Sequence, residues 1–371
     1  IALLSCMAVC IFGFTDYLGM DLLHFKVRLK AEHIGMFTSF IGNINMYTGL
    51  LSVYLGAACL LWVSCPNKLR SIWYYVNVWV IFIALITGRS DNAYLSLAAA
   101  FTFIPIYAFR TRQGIRRYVV LLATFLTSLK VIEWISITYA DRVYRINSLY
   151  TSLVSFSKLV LLIKVLWIIA IILYLIDFIS KKADATVSPW FSRIWIGLIV
   201  IGFAAFLYVL YDVNIAGNAD KYGSAKSFLL FNDNWGTHRG VIWRLAIEDY
   251  QDFTPIHKLF GYGPDTFGLV TYYHNMDIMT NVYHQIFDSA HNEYLQFFVT
   301  VGPIGLLSYL AIFVTAFIRI IKKGCQNPYV IAAMFGVLCY SAQATVNIGT
   351  PITIPIMFLF LSMALAGCRE A

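Results

Sequence analysis

His291 lies in DSAHNEYLQ, immediately before an apolar run. An imidazole at a membrane–water boundary can exchange protons near neutral pH, and Asp288 and Glu293 are close enough in sequence to orient it. The same residues also read as a helix start. Asn292 or Ser289 supplies an N-cap, and Glu293 suits the positive end of the helix dipole. Arg239 and Arg244 in RGVIWR, and Arg89 in TGRSDN, are cations of the kind that fork onto a diphosphate. Arg89 falls between two apolar segments, where a cation is costly unless Asp91 or an anionic ligand satisfies it. LFGYGPDTFG sets Gly261, Gly263 and Gly268 around Pro264. Glycines there permit positive φ and close approach to a ligand, but the same cluster marks ordinary turns. His274, His284 and His291 match no compact metal-ligand spacing, and no P-loop signature is present. No metal site and no cofactor is expected.

These residues need a membrane to stand in. Of the 371 residues, 60% are hydrophobic and only 12% charged, and the mean hydropathy is +0.73. A soluble domain carries about 25% charged residues. The 28 Phe, 24 Tyr and 9 Trp suit anchoring at two membrane interfaces. The net charge of +8 fits loop cations set against anionic lipid, or an anionic ligand. No long basic run suggests nucleic acid. Six of the seven cysteines are Cys6, Cys10, Cys59, Cys65, Cys339 and Cys368; the seventh is Cys325. All lie in or beside apolar segments, which gives neither a disulfide framework nor a zinc spacing.

Ten apolar segments are expected to span as helices: 1–19, 41–64, 72–88, 91–109, 117–138, 159–179, 194–211, 294–320, 329–348 and 352–368. The third and fourth are expected to form a tight hairpin. The fold class is therefore an all-α polytopic membrane protein with one large polar loop. Residues 1–211 form the N-terminal helices, 212–293 the loop and 294–371 the C-terminal helices. Ile1 opens inside an apolar stretch without a signal-peptide n-region, so one or more helices are expected to precede it. Lys68 and Arg70, Arg110 to Arg117, Lys181, Lys182 and Arg193, and Lys322 and Lys323 mark one set of loops. This set is richer in cations than the alternate loops, which places it in the cytoplasm and the large loop outside. A loop of that length is functional or disordered. Its aromatic residues favour order, and 239–252 has the spacing of a short amphipathic helix.

RGVIW (239–243), GYGPDTFG (261–268), HNEYLQ (291–296) and GPIGL (302–306) together resemble the O-antigen ligase and polymerase family of bacterial membrane glycosyltransferases. FIGNINMYTGLL (40–51) is similar to the family's Asn-containing helix start. LITGRSDNAYLSLA (85–98) looks like its Thr-x-Ser-Arg stretch with the order changed to Gly-Arg-Ser. The family has about twelve helices, so two before Ile1 would complete the count.

The resemblance implies a donor glycan on undecaprenyl diphosphate and an acceptor hydroxyl on a glycan, lipid or protein. It also implies a site in the bacterial cytoplasmic membrane that works without metal or nucleotide. Arg239 and Arg89 are implied to hold the diphosphate, and His291 to stand beside the acceptor hydroxyl. Arg244, Gly261, Gly263, Asn292 and Glu293 are implied as substrate-binding neighbours. The partners are then donor, acceptor and membrane lipid, with no nucleic acid. The rival is a transporter or flippase, which would show inverted repeats that the sequence lacks.

Overall fold

The computed structural model describes residues 1–180, 185–323 and 327–368; Lys181, Lys182 and Cys325 lie outside them. The described chain forms two compact units. The first holds 1–195, 319–343 and 350 onward, and the second holds 196–318 and 344–349.

In the first unit, α1 (Ala2–Tyr17) and the short α2 (Ala31–Ile34) precede α3 (Ile44–Ser64). α3 starts where the Asn43 carboxamide accepts from Asn45 N–H at 2.8 Å and Met46 N–H at 3.4 Å. This N-cap is the helix start that the sequence anticipated. α4 (Lys68–Thr87), α5 (Asn92–Ala108), α6 (Arg112–Thr138), α7 (Ser148–Val154) and α8 (Leu159–Ser180) follow. α3 is apolar on every side and almost wholly buried. α4 and α5 each pack on α3 and α6. They do not form the tight two-helix hairpin expected from their spacing, because α3 supplies the apolar surface that both need. In α6, Arg117 donates to Trp62 O at 2.6 Å and Cys65 O at 2.5 Å, and Arg116 pairs with Asp177 of α8. Some of the loop cations therefore serve packing.

α9 (Trp190–Asn214) leads into the second unit, where α10 (Lys226–Leu229), α11 (Trp235–Gln251), α12 (Pro255–Phe260), α13 (Phe267–Asp277), α14 (Glu293–Thr300) and α15 (Gly302–Lys322) follow. α16 (Pro328–Gln343) and α17 (Ile354–Gly367) return to the first unit, where α16 packs on α3, α5 and α17. Among the described residues there is no strand, only an isolated bridge between Thr111 and Thr186.

Seven helices are long and apolar enough to cross a membrane; Ala2–Tyr17, Asn92–Ala108 and Ile354–Gly367 are apolar but shorter. At 1.5 Å per residue these three reach roughly 21–26 Å, short of a hydrocarbon core of about 30 Å. α9 has no buried residue in its most apolar window. Its exposed Ile201, Phe203 and Phe206 have lipid as their natural surroundings. The expected span 294–320 is two helices, α14 and α15, separated at Gly302, whose φ is +72°. The Gly302-Pro303 pair ends one helix and starts the next.

The stretch between α9 and α14 is ordered around its own core. Val241, Ile242, Leu245 and Ala246 of α11 pack with Phe267, Val270, Met279, Phe287, Ala290 and Val299. Asp212, at the end of α9, gathers Asn218 at 2.7 Å, Lys221 at 3.1 Å and Tyr222 at 2.7 Å, which fixes the first turn of the loop.

Candidate active site

The site in the second unit is built around the residue before His291. Ala290 is fully buried. Its N–H donates to Gln296 Oε1 at 2.8 Å, and its carbonyl accepts from Trp243 Nε1–H at 2.8 Å. Gln296 closes the HNEYLQ piece and Trp243 closes RGVIW, so the two motifs meet on one peptide. Asn292 caps α14, its carboxamide oxygen accepting from Tyr294 N–H at 3.0 Å and Leu295 N–H at 3.1 Å. Between these two anchors His291 is held at φ +45°. A non-glycine residue there stores about 1–3 kcal/mol of strain, which persists only where the surroundings impose it. The cap and the chemical reading of this histidine are compatible, because Asn292 does the capping and leaves the imidazole free of that task.

His291 is half-buried, and its Nδ1 is buried with no hydrogen-bond partner. Burial first, then the charge of Arg239, pull its pKa below the ordinary 6.5, with Asp288 opposing. The imidazole is therefore neutral near pH 7 and able to take a proton.

Arg239 begins the regular part of α11. Gly236, Thr237 and His238 all have positive φ (60°, 60° and 69°), so the uniform helix starts after them. Arg239 Nη1 donates back to Gly236 O at 3.0 Å. Gly240 lets the chain cross closely here, since a Cβ on it would lie 1.8 Å from Asn232 O. The structure thus brings Arg239 and His291 together, near enough for the guanidinium to bias the imidazole.

The other expected loop residues have protein partners. Arg244 forks onto Asp233 at 2.9 and 2.8 Å and reaches both Glu248 oxygens at 3.1 Å. These acids raise its pKa and hold α11 to the crossing chain. Glu293 is buried and accepts from the Tyr309 hydroxyl, tying α14 to α15. Gly261, at φ +65°, lies against the joint between those helices. A Cβ on Gly261 would sit 2.1 Å from Thr300 O, and one on Gly302 would sit 2.1 Å from Leu259 O. Gly263 N–H donates to Thr300 O at 2.8 Å. The glycine turn is a close backbone contact that sets the angle at which α14 meets α15.

Arg89 belongs to the first unit, in the joint between α4 and α5, at φ +59°. It donates to Gly35 O and lies 4.7 Å from the centroid of the Tyr144 ring. Lys26 reaches the same ring at 5.2 Å and pairs with Asp16 at 2.8 Å. Burial lowers the Arg89 pKa, while Tyr144 and then Asp16 oppose. The sequence offered Asp91 as a partner; the structure also brings Asp16 close enough to act on this arginine. The two upstream motifs also interlock. Ser90 donates to Asn45 Oδ1 at 2.5 Å and Thr48 to Asn92 Oδ1 at 2.6 Å.

The O-antigen ligase family model matches residues 146–310. The matched O-antigen ligase segment is a little under half of the chain and runs from the residues before α7 into α15. Arg239, Arg244, Gly261, Gly263, His291, Asn292 and Glu293 fall inside the matched O-antigen ligase segment, and Arg89 falls outside it. No curated protein and no solved structure matches the chain. Among the described residues, no group of three or more His, Cys, Asp or Glu side chains is placed to hold a metal ion. The sequence pointed to the candidate residues of the loop but not to their supports, Trp243 and Gln296, nor to the Tyr144, Lys26 and Asp16 surroundings of Arg89. Trp243 and Gln296 stood inside the quoted motifs, and that position was the available signal.

Proposed function

We propose that the chain transfers a glycan from an undecaprenyl-diphosphate carrier to an acceptor hydroxyl on the outer side of the bacterial cytoplasmic membrane. The acceptor is a growing polysaccharide, a lipid or a protein, and the reaction needs no metal or nucleotide. The acceptor oxygen attacks the anomeric carbon, and the bond from that carbon to the diphosphate oxygen breaks. The hydroxyl proton passes to neutral His291, and the lipid diphosphate leaves with its charge against Arg239. Arg89, in the first unit, is proposed as an anion-binding arginine in its own right. A preorganised cation at a developing charge is worth most in a site that excludes water.

The observation that carries this reading is the pairing of a strained, neutral, half-buried histidine with an arginine in the segment that matches the O-antigen ligases. Arg244, Gly261, Gly263, Asn292 and Glu293 support the site by fixing its helices. The cation bias of the short loops supports an outward loop.

The test supplies the purified protein with a lipid-diphosphate-linked oligosaccharide and candidate acceptors, and follows formation of a new glycosidic bond by mass spectrometry. Bond formation is expected. Movement of the intact lipid-linked donor across liposomes without bond formation would replace this reading with the transporter.

A further inference from the structure

A concavity opens in the second unit just before α11. It has a volume of about 440 Å³ and is lined by Ser224, Lys226, Ser227, Asn232, Asn234 and Trp235, among others. That size is within the usual range for small-ligand sites, about 300–1,000 Å³. Its chemistry is specific. Two carboxamides and two hydroxyls line it, a mix of donors and acceptors as sugar hydroxyls require; Ser227 Oγ–H already donates to Ser224 O at 3.0 Å and Asn232 Oδ1 accepts from Asn234 N–H at 3.1 Å. The indole adds an aromatic wall with a polar edge. Trp235 Nε1 donates to Phe228 O at 3.0 Å, which fixes that wall. The Asn234 side chain makes no capping bond to α11, although it stands at the N-cap position. Among the described lining residues, Lys226 is the one charged side chain, and Asp220 pairs with it at 2.6 Å. The site is therefore polar but close to neutral.

We propose that this pocket binds a neutral sugar residue of the glycan, apart from the reducing end that reacts. The inference rests on the glycan-transfer reading above. The pocket is also coupled to the reacting residues. Trp235 packs on Trp243 with ring centroids 5.1 Å apart. Trp243 holds the Ala290 carbonyl at 2.8 Å. A glycan seated against Trp235 therefore lies on the chain stretch that leads directly into Arg239.

An array of lipid-free bacterial surface oligosaccharides, probed with the detergent-purified protein, tests the proposal. The wild type and His291→Ala are expected to bind the same glycans. Asn234→Ala and Trp235→Ala are expected to lose at least tenfold in affinity. Asn234 is at the surface, so its variant keeps the result readable where Trp235→Ala disturbs the aromatic packing. Competition by the lipid-linked donor would make the pocket a donor subsite, and no competition would make it an acceptor subsite. Binding by Asn234→Ala equal to the wild type, or no glycan bound by the wild type, overturns the proposal. Glycan binding by a wild type that transfers no glycan to any acceptor would instead count against the catalytic reading.

Discussion

Gln296→Leu tests whether His291, the proposed proton acceptor, is held by its neighbours. The change keeps side-chain volume but removes the oxygen that accepts from Ala290 N–H at 2.8 Å. Ala290 is fully buried, so its N–H has no water to turn to. An orphaned buried donor costs about 1–3 kcal/mol. The strain at His291, about 1–3 kcal/mol, is of the same size. The backbone can then relax from φ +45° toward a negative value and carry the imidazole away from Arg239. At about 1.4 kcal/mol per decade, that loss corresponds to a fall of roughly 5- to 150-fold in kcat. KM for the donor should change little, because Arg239 keeps its own anchor on Gly236 O. Gln296→Glu retains an acceptor and should recover most of the loss. Initial rates of lipid-diphosphate release, with thermal unfolding as a control for folding, are the readouts. A stable Gln296→Leu protein with wild-type kcat would refute the clamp.

Three further outcomes are expected. In kcat/KM, which reports the free enzyme, the acid limb should fall below pH 6.5, since His291 must be neutral to act and its pKa is lowered. Arg239→Gln removes a repelling charge and should move that limb upward; a downward shift would contradict the assignment. Gly302→Ala should lower unfolding stability by about 2–4 kcal/mol, because the new Cβ meets Leu259 O at 2.1 Å and φ is +72°; unchanged thermal unfolding would argue against the turn-to-joint contact. Arg244→Ala should cost up to about 1 kcal/mol of stability, its ion pairs being partly exposed, and should reduce transfer less than Arg239→Ala. Equal losses in the rate assay would give Arg244 a direct role.

The local features of this fold were readable and the long-range ones were not. The amphipathic stretch at 239–252 is the regular part of α11, and Val241, Ile242, Leu245 and Ala246 face the core as their spacing implies. Of the two caps offered for α14, Asn292 serves, and Asn43 in the Asn-containing helix start caps α3. The break at Gly302 was also signalled by its glycine–proline pair, but continuous apolar character hid it. Hydropathy measures length and not straightness. Trp243 and Ala290 are 47 residues apart, and nothing in local periodicity links an indole to one particular carbonyl. Tyr144 and Asp16 reach Arg89 for the same reason: tertiary packing alone brings them there. The glycines at 261 and 302 show a third case. Each looks like a solitary turn residue, and only their mutual backbone contact explains both.

The most direct test of the central claim is single-turnover release of lipid diphosphate by wild type, His291→Ala and Arg239→Ala at equal folded concentration. The account predicts release and a new glycosidic bond for the wild type. It predicts a loss of at least a hundredfold for each variant, with thermal unfolding little changed. Release by folded His291→Ala and Arg239→Ala at the wild-type rate would contradict it.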